Sequence, residues 1–312
     1  MNVLITGSEG FIGGRLVDHY LRNGDDVYGW GLEGFYRTGG DYIKKSLMSP
    51  GDVREVLDRY RPDLLLHCAG SADVNLSVKK PMWDLENNYI TTHNLLFALK
   101  SLEMTKCRFV LFSSAAVYGN PVSLPMDEEQ PINPLSPYAL HKRAAEETTV
   151  FMHRNYGLDT KILRIFSVYG AGLKKQIFWD MYRKYTETGR LELWGSGEES
   201  RDYIYVDDLV KAVSLVAERS GFDDLVFNVA NGRETTIREA AHCFGEAFGI
   251  DPELISFLGV RREGDPINWR ADITKLSKLG YTQSISFEEG VRKYVDWVKN
   301  GTGVLDRKCL SG

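Results

Sequence analysis

Cysteine is scarce and unpatterned: Cys68, Cys107, Cys243 and Cys309 form no C-x-x-C pair and have no histidine partner at metal-ligand spacing. That excludes a disulfide framework and a zinc site, so reduced structural thiols are expected, and no metal. Long apolar runs are missing too. None approaches the ~20 residues that cross a bilayer, and Met1-Asn2-Val3-Leu4-Ile5-Thr6-Gly7 carries no basic leader. A soluble, cytoplasmic protein without a membrane partner is expected. Neither sign of charge dominates: 38 basic and 43 acidic side chains are interspersed to a net charge of -5, which leaves no broad basic surface for nucleic acid. An anionic ligand would have to be met by a few placed arginines. Internal repeats, low-complexity linkers and charge blocks are also lacking, which argues against tethered modules.

What the 312 residues do contain, 43% of them hydrophobic and 26% charged, suffices for one large domain with a smaller lobe. In the first half, short apolar runs alternate with helical patterns: Val3-Leu4-Ile5, a helix over about 11–23, Asp26-Val27-Tyr28, a helix over 53–60, Asp63-Leu64-Leu65-Leu66-His67, a helix over 89–99, then Arg108-Phe109-Val110-Leu111-Phe112. This rhythm predicts successive βαβ units and hence an α/β fold with a doubly wound parallel sheet. After about residue 165 the rhythm loosens around Trp194-Gly195-Ser196-Gly197 and ends in an amphipathic helix whose Phe287, Val291, Tyr294 and Val298 share a core-facing stripe. A substrate cleft is expected between the two parts.

Directly after the first strand comes Thr6-Gly7-Ser8-Glu9-Gly10-Phe11-Ile12-Gly13, a G-x-x-G-x-x-G pattern between a predicted strand and a predicted helix. Gly7 permits a tight turn, Gly10 lets a pyrophosphate approach the backbone, and Gly13 lets the helix pack closely on the strand. With Phe11 and Ile12 opening that helix, free N–H groups and a positive dipole end face the phosphates. A dinucleotide site is therefore predicted. An acid at the end of the second strand usually accepts from the adenosine ribose 2′-hydroxyl, but Gly31 stands there. A glycine leaves room for a 2′-phosphate and Arg37 is a nearby partner for one, which tilts the cofactor from NAD(H) toward NADP(H). Glu33, two positions on, would restore NAD if its loop folds back.

The strand over 109–112 runs into Ser113-Ser114-Ala115-Ala116-Val117-Tyr118-Gly119, and 24 residues past Ser114 stands Tyr138-Ala139-Leu140-His141-Lys142. One helical turn apart, Tyr138 and Lys142 share a face, so the ammonium is expected to favour the phenolate and make Tyr138 an acid/base near neutral pH. Ser114, at the carboxyl end of its strand, would hold the reacting oxygen, and Lys142 would also reach the nicotinamide ribose. His141 is expected to face away, as a solvated or interface side chain. Trp179, Tyr182 and Tyr185 at helical spacing are expected in the core.

With these motifs the chain resembles the extended short-chain dehydrogenase/reductases, the nucleotide-sugar epimerases, dehydratases and reductases. The likeness covers nearly the whole chain. It includes His67-Cys68-Ala69-Gly70, Asn88 with Thr92 and Asn94, Leu163-Arg164-Ile165-Phe166-Ser167-Val168-Tyr169-Gly170, the run from Gly195 to Asp208 around Arg201-Asp202-Tyr203, and Arg261-Arg262-Glu263-Gly264-Asp265. The resemblance implies a Rossmann domain over 1–165 with about 203–232, and a smaller C-terminal α/β lobe over 166–202 and 233–312. It implies that Ala69, Gly70 and Phe166 join the cofactor site. It also implies that Ser113, Ser167, Arg201, Arg262 and Asp265 meet a nucleoside-diphosphate sugar, the two arginines on the diphosphate and Asp265 on the nucleoside ribose. A homodimer through the Tyr-x-x-x-Lys helix is implied as well.

In the dehydratases of that superfamily an Asp-Glu pair follows the active-site hydroxyl residue. Here Ala115 and Ala116 stand there and cannot transfer a proton, so dehydration is disfavoured, and so is the decarboxylation that uses a Glu. Hydride chemistry at a sugar C4 remains, either net reduction of a 4-keto sugar or epimerisation with retained NAD. Gly31 places the reductase ahead, although the Ser113–Gly119 stretch looks more like the epimerase version. Ser167 stands where many epimerases carry an asparagine. A non-catalytic redox sensor is disfavoured because Ser114, Tyr138 and Lys142 are all present.

Overall fold

The computed structural model describes residues 1–32, 41–260 and 267–300. The first half consists of β1 (Asn2–Thr6), α1 (Phe11–Arg22), β2 (Asp26–Gly31), β3 (Asp41–Lys44), α2 (Pro50–Tyr60), β4 (Leu64–His67), the short α3 (Val74–Lys79) and α4 (Pro81–Leu85), α5 (Thr91–Ser101), β5 (Arg108–Ser114), α6 (Pro137–Tyr156) and β6 (Thr160–Ile165). There follow β7 (Ser167–Tyr169), α7 (Gln176–Thr188), β8 (Leu191–Leu193), β9 (Ser200–Arg201), β10 (Tyr203–Tyr205), α8 (Val206–Arg219) and β11 (Val226–Val229). Last come β12 (Thr235–Thr236), α9 (Ile237–Phe248), β13 (Ile255–Phe257), α10 (Thr274–Lys278) and α11 (Phe287–Lys299).

Seven strands form one parallel sheet in the order β11-β6-β5-β4-β1-β2-β3. The fold is thus the doubly wound α/β sheet that the strand and helix rhythm predicts. Period-two alternation explains why the sheet is covered on both faces. Val3 and Ile5 of β1, Leu64 and Leu66 of β4, and Val110 and Phe112 of β5 join the core that contains Leu16 and Val17 of α1 and Leu209 and Val213 of α8. Their neighbours Leu4, Leu65, Phe109 and Leu111 point the other way, onto Val53 and Leu57 of α2 and Leu95 and Leu99 of α5. The chain leaves β1 toward β2 on one side and returns through β4 on the other, so a crevice opens at the carboxyl ends of these two strands.

Several boundaries differ from the sequence pattern for local reasons. The second strand continues through Gly29 to Gly31, because its neighbours on both sides supply backbone partners. The edge strand β3 has Ile43 as its one fully buried side chain, which is too little alternation to read. α2 starts three residues early because Ser49 accepts from Asp52 N–H and Pro50 opens the helix. A π-helical turn over Glu86–Ile90 precedes α5. The predicted stripe on α11 is buried at Phe287, Val291, Tyr294 and Val298. Among the described residues no helix is long and apolar enough to cross a membrane.

At the end of β4, His67 is enclosed. Its Nδ1 lies 2.8 Å from Thr6 Oγ1 and its Nε2 3.1 Å from Thr92 Oγ1. Thr92 already donates to the Asn88 carbonyl, so it can only accept from His67, which assigns the proton to Nε2 and leaves Nδ1 as acceptor. Burial, with the Lys142 charge adding to it, pushes His67 down to about 3. Because the folded value is depressed, the unfolded chain takes up a proton below about pH 6.5 that the folded chain refuses. Between pH 6.5 and 5 this costs about 2 kcal/mol of stability, at 1.36 kcal/mol per pH unit. Urea unfolding across that window should therefore show a steeper loss for the wild type than for His67→Gln, and parallel slopes would refute the assignment.

Candidate active site

The crevice is floored by the turn between β1 and α1. Gly7 takes φ +66°, and its N–H donates to Trp30 O at 2.8 Å while Gly10 N–H returns to Gly7 O at 2.9 Å. A Cβ at Gly13 would stand 2.2 Å from Gly7 O, and one at Gly7 2.8 Å from Ala69 Cα. Only glycines let α1 and the loop after β4 close on this turn. The 12-residue α1 has no side-chain cap and no acid in its first turn, so its positive end is open to an anion beside exposed Gly10. Ala69 N–H reaches Thr6 Oγ1 at 3.2 Å, and Gly70, at φ +146°, brings its backbone so close to Asn88 that a Cβ would lie 2.6 Å from Oδ1. That buried Oδ1 has no hydrogen-bond partner among the described residues. An uncapped helix terminus, a glycine cradle and an unpaired acceptor together fit a dinucleotide at this edge.

Helix α6 carries the second group. Ser136 caps it by accepting from Ala139 N–H, Pro137 opens it and Gly157 closes it in the left-handed region. Its buried stripe, Tyr138, Lys142, Ala145, Glu146, Thr149 and Met152, faces the sheet. Ser114 ends β5, and its hydroxyl accepts from Ala116 N–H at 3.2 Å. Burial pushes the Tyr138 phenol up to about 12, the nearby Ser114 hydroxyl pulls it back and the Asp84 charge adds to the rise. Lys142 donates to Phe112 O at 2.9 Å, with Nζ 6.0 Å from the Tyr138 ring centre, and burial pushes it down to about 8 against the nearby Asp84. The expectation of a phenol poised near neutrality by Lys142 is corrected here, because in the folded chain burial outweighs a lysine that is directed at a backbone carbonyl.

Two other expectations change. Ser113, expected at the substrate, points opposite to Ser114 because side chains alternate along a strand. It donates to Glu146 Oε1 at 2.5 Å, and Glu146 pairs with Arg164 at 2.9 Å. Arg164 also donates to Tyr118 Oη at 3.0 Å and Glu128 O at 2.8 Å. His141 is not solvated: α4 packs on α6 and brings fully buried Asp84 to 2.6 Å from His141 Nδ1, while Asn88 Nδ2 donates to Asp84 at 2.9 Å. Asp84 went unnoticed in the sequence, because a lone acid in a short helix carries no pattern. Trp179, Tyr182 and Tyr185 pack against the core.

Facing this edge from beyond β6, buried Phe166 meets Trp269 edge-on at 5.9 Å. Ser167 opens β7 and donates its N–H to Asp202 O at 3.0 Å. The Arg201 guanidinium lies 5.4 Å from the Trp269 ring centre and donates through Nη1 to Ser200 O at 2.7 Å and Ile267 O at 3.3 Å. Asp202 turns away from Arg201 and accepts the N–H groups of Asn231 and Ala271 at 3.0 Å each. No carboxylate among the described residues pairs with Arg201. Arg37, Arg262 and Asp265, like Glu33, lie outside the described residues. Ala115 is fully buried and Ala116 half-buried in the turn after Ser114, with no titratable group of their own.

The model of the NAD-dependent epimerase/dehydratase family matches residues 3–230. The chain belongs to that family. The UDP-glucose 4-epimerase of Mycolicibacterium smegmatis is 31% identical over 316 residues, spanning 96% of this chain and 99% of the relative. Among solved structures, UDP-glucose 4-epimerase from Thermotoga maritima with UDP-glucose superposes with a TM-score of 0.88 at 29% identity, over 96% of this chain and 99% of that one. The Thermus thermophilus UDP-glucose 4-epimerase complex with NAD gives 0.85 at 28% identity, over 96% and 100%. This member of the NAD-dependent epimerase/dehydratase family is therefore an enzyme of the extended short-chain dehydrogenase/reductase type, an epimerase or a reductase. The tilt toward NADP(H) drawn from Gly31 gains nothing from its membership of an NAD-dependent family.

If Tyr138 moves the proton in this enzyme, Tyr138→Phe should lower turnover about 10²- to 10⁴-fold while the dinucleotide released on denaturation stays the same per protein chain. Turnover within a fewfold of wild type would remove Tyr138 from the chemistry.

Proposed function

We propose that this enzyme is a nucleoside-diphosphate-hexose 4-epimerase, acting on a UDP-hexose and keeping NAD through the cycle. This reverses the order in which Gly31 ranked reductase and epimerase. The observation that carries the reading is the meeting of Ser114, at the end of β5, with buried Tyr138 and Lys142 of α6, Lys142 standing next to Gly70, and with Ala115 and Ala116 rather than acids following Ser114. Such a site can move a proton at one sugar hydroxyl but has no group there for eliminating water. The full-length likeness to 4-epimerases then favours epimerisation over net reduction.

In this reading Gly7, Gly10, Phe11, Ile12 and Gly13 hold the pyrophosphate, with Ala69, Gly70 and Phe166 lining the rest of the dinucleotide site. When bound, NAD accepts and returns the hydride at C4 and, in its oxidised form, adds a positive charge that favours the phenolate. Tyr138, as the phenolate, would take the proton of the C4 hydroxyl during oxidation and return it to the same oxygen during re-reduction, the inversion coming from delivery of the hydride to the other face of C4. Ser114 holds the same oxygen, and Lys142, anchored on the Phe112 carbonyl, adds a buried positive charge that opposes protonation of the phenolate. Arg201, braced over Trp269, offers its remaining N–H groups to the diphosphate, with Arg262 and Asp265 as further partners. Ser167, at the start of β7, borders the same substrate.

The lobe boundaries, 1–165 with about 203–232 against 166–202 and 233–312, belong to this reading. So does a cytoplasmic homodimer through α6, whose outward side exposes Leu140 and Phe151.

The test is to incubate the purified protein with UDP-glucose or UDP-galactose without added cofactor, and to identify the dinucleotide it releases on denaturation. Interconversion of the two sugars with about one NAD per chain supports the epimerase. Consumption of added NADPH in step with product, by protein that releases no dinucleotide, would make it a reductase.

A further inference from the structure

Gly31 leaves the end of β2 without the acid expected to meet an adenosine ribose, yet the space there is filled. A Cβ built on Gly31 would stand 2.6 Å from Glu9 Oε1 and 2.6 Å from the Tyr42 hydroxyl. Glu9 belongs to the turn between Gly7 and Gly10, and its carboxylate accepts from Tyr42 on the neighbouring β3. The register explains the meeting, since Tyr42 pairs with Gly29 and Lys44 with Gly31, which sets the tyrosine beside the strand end. The preceding turn residue packs the same way, and a Cβ at Gly29 would fall 2.8 Å from Ser8 Oγ. Both turn side chains therefore fold down over β2, and the two strand glycines make room for them.

From these contacts we infer that Glu9, positioned by Tyr42, takes over the role of the absent strand-end acid and selects NAD against NADP. A carboxylate at this point accepts from vicinal ribose hydroxyls, as one projecting from position 31 would. It also faces a 2′-phosphate with like charge across a few ångströms, which is unfavourable where water is partly excluded. The glycine at position 31 is thus the steric condition for an acid arriving from the turn rather than a vacancy for a phosphate. The inference rests on the dinucleotide site proposed above, and it deepens that reading by naming the residue that chooses the cofactor.

Binding, not turnover, tests it. NADH and NADPH are titrated by fluorescence into wild type, Glu9→Gln, Tyr42→Phe and the double variant Glu9→Ala/Gly31→Asp, each first freed of any retained dinucleotide, with thermal unfolding as the control for folding. Wild type is expected to favour NADH. Glu9→Gln should lose about tenfold or more in NADH affinity and gain for NADPH. Tyr42→Phe should shift both in the same direction by less, and the double variant, with its acid moved to the strand, should regain the preference for NADH. A folded Glu9→Gln protein with an unchanged NADH-to-NADPH ratio overturns the role of Glu9. Wild type that neither releases a dinucleotide on denaturation nor binds either one when added overturns instead the dinucleotide site on which the inference rests.

Discussion

Behind Ser113 and Ser114, Glu146 of α6 and Arg164 of β6 meet at 2.9 Å with side chains 4% and 5% exposed. A buried pair of this kind stabilises little in itself, but each partner is costly without the other, so the geometry around it is held firmly. Ser113 ties β5 to the pair, and Arg164 extends it to Tyr118, which donates to Asn228 of β11 at 2.7 Å. One polar cluster thus clamps the strand that ends in Ser114, the helix that carries Tyr138 and Lys142, and the outer strands of the sheet. The position of the phenol relative to the Ser114 hydroxyl depends on that clamp, since a helix packed by apolar contacts alone could slide by fractions of an ångström.

Around the clamp, each partner of the site arrives by a different physical route. The glycine turn is dictated by backbone approach, where a Cβ at Gly13 would stand 2.2 Å from a carbonyl. Tyr138 and Lys142 are set by helical period and burial. Arg201 is braced by an aromatic face and two backbone carbonyls, and no carboxylate among the described residues pairs with it. With an overall charge of -5, no general positive field surrounds the chain, so any anionic ligand depends on such local placement.

Much of this was legible in the chain itself, because the signals are local. Strand alternation and helix period mark β1, α1, β4, β5 and α11, and the three glycines state their purpose by spacing. The parts that were not legible are those where two distant segments meet. The edge strand β3 shows almost no alternation, so Tyr42 gave no hint that it would stand beside Glu9. Asp84 lies in a five-residue helix, and its contact with His141 spans 57 positions. Ser113 and Ser114 are adjacent and chemically identical, and only the direction of the pleat decides that one faces the clamp and the other the phenol.

By itself, then, the sequence determined the doubly wound architecture and the glycine turn after its first strand, and it singled out the serine, tyrosine and lysine as candidates, since these follow from short-range period, backbone sterics and the residue types that can move a proton. Tertiary structure alone decided the burial and contacts of those groups, and with them the direction in which each pKa moves. Burial raises Tyr138 and lowers Lys142, and the folding of the glycine turn over β2 puts a carboxylate where position 31 has none. Desolvation and contacts between remote segments are properties of the packed chain, and no spacing along the sequence encodes them.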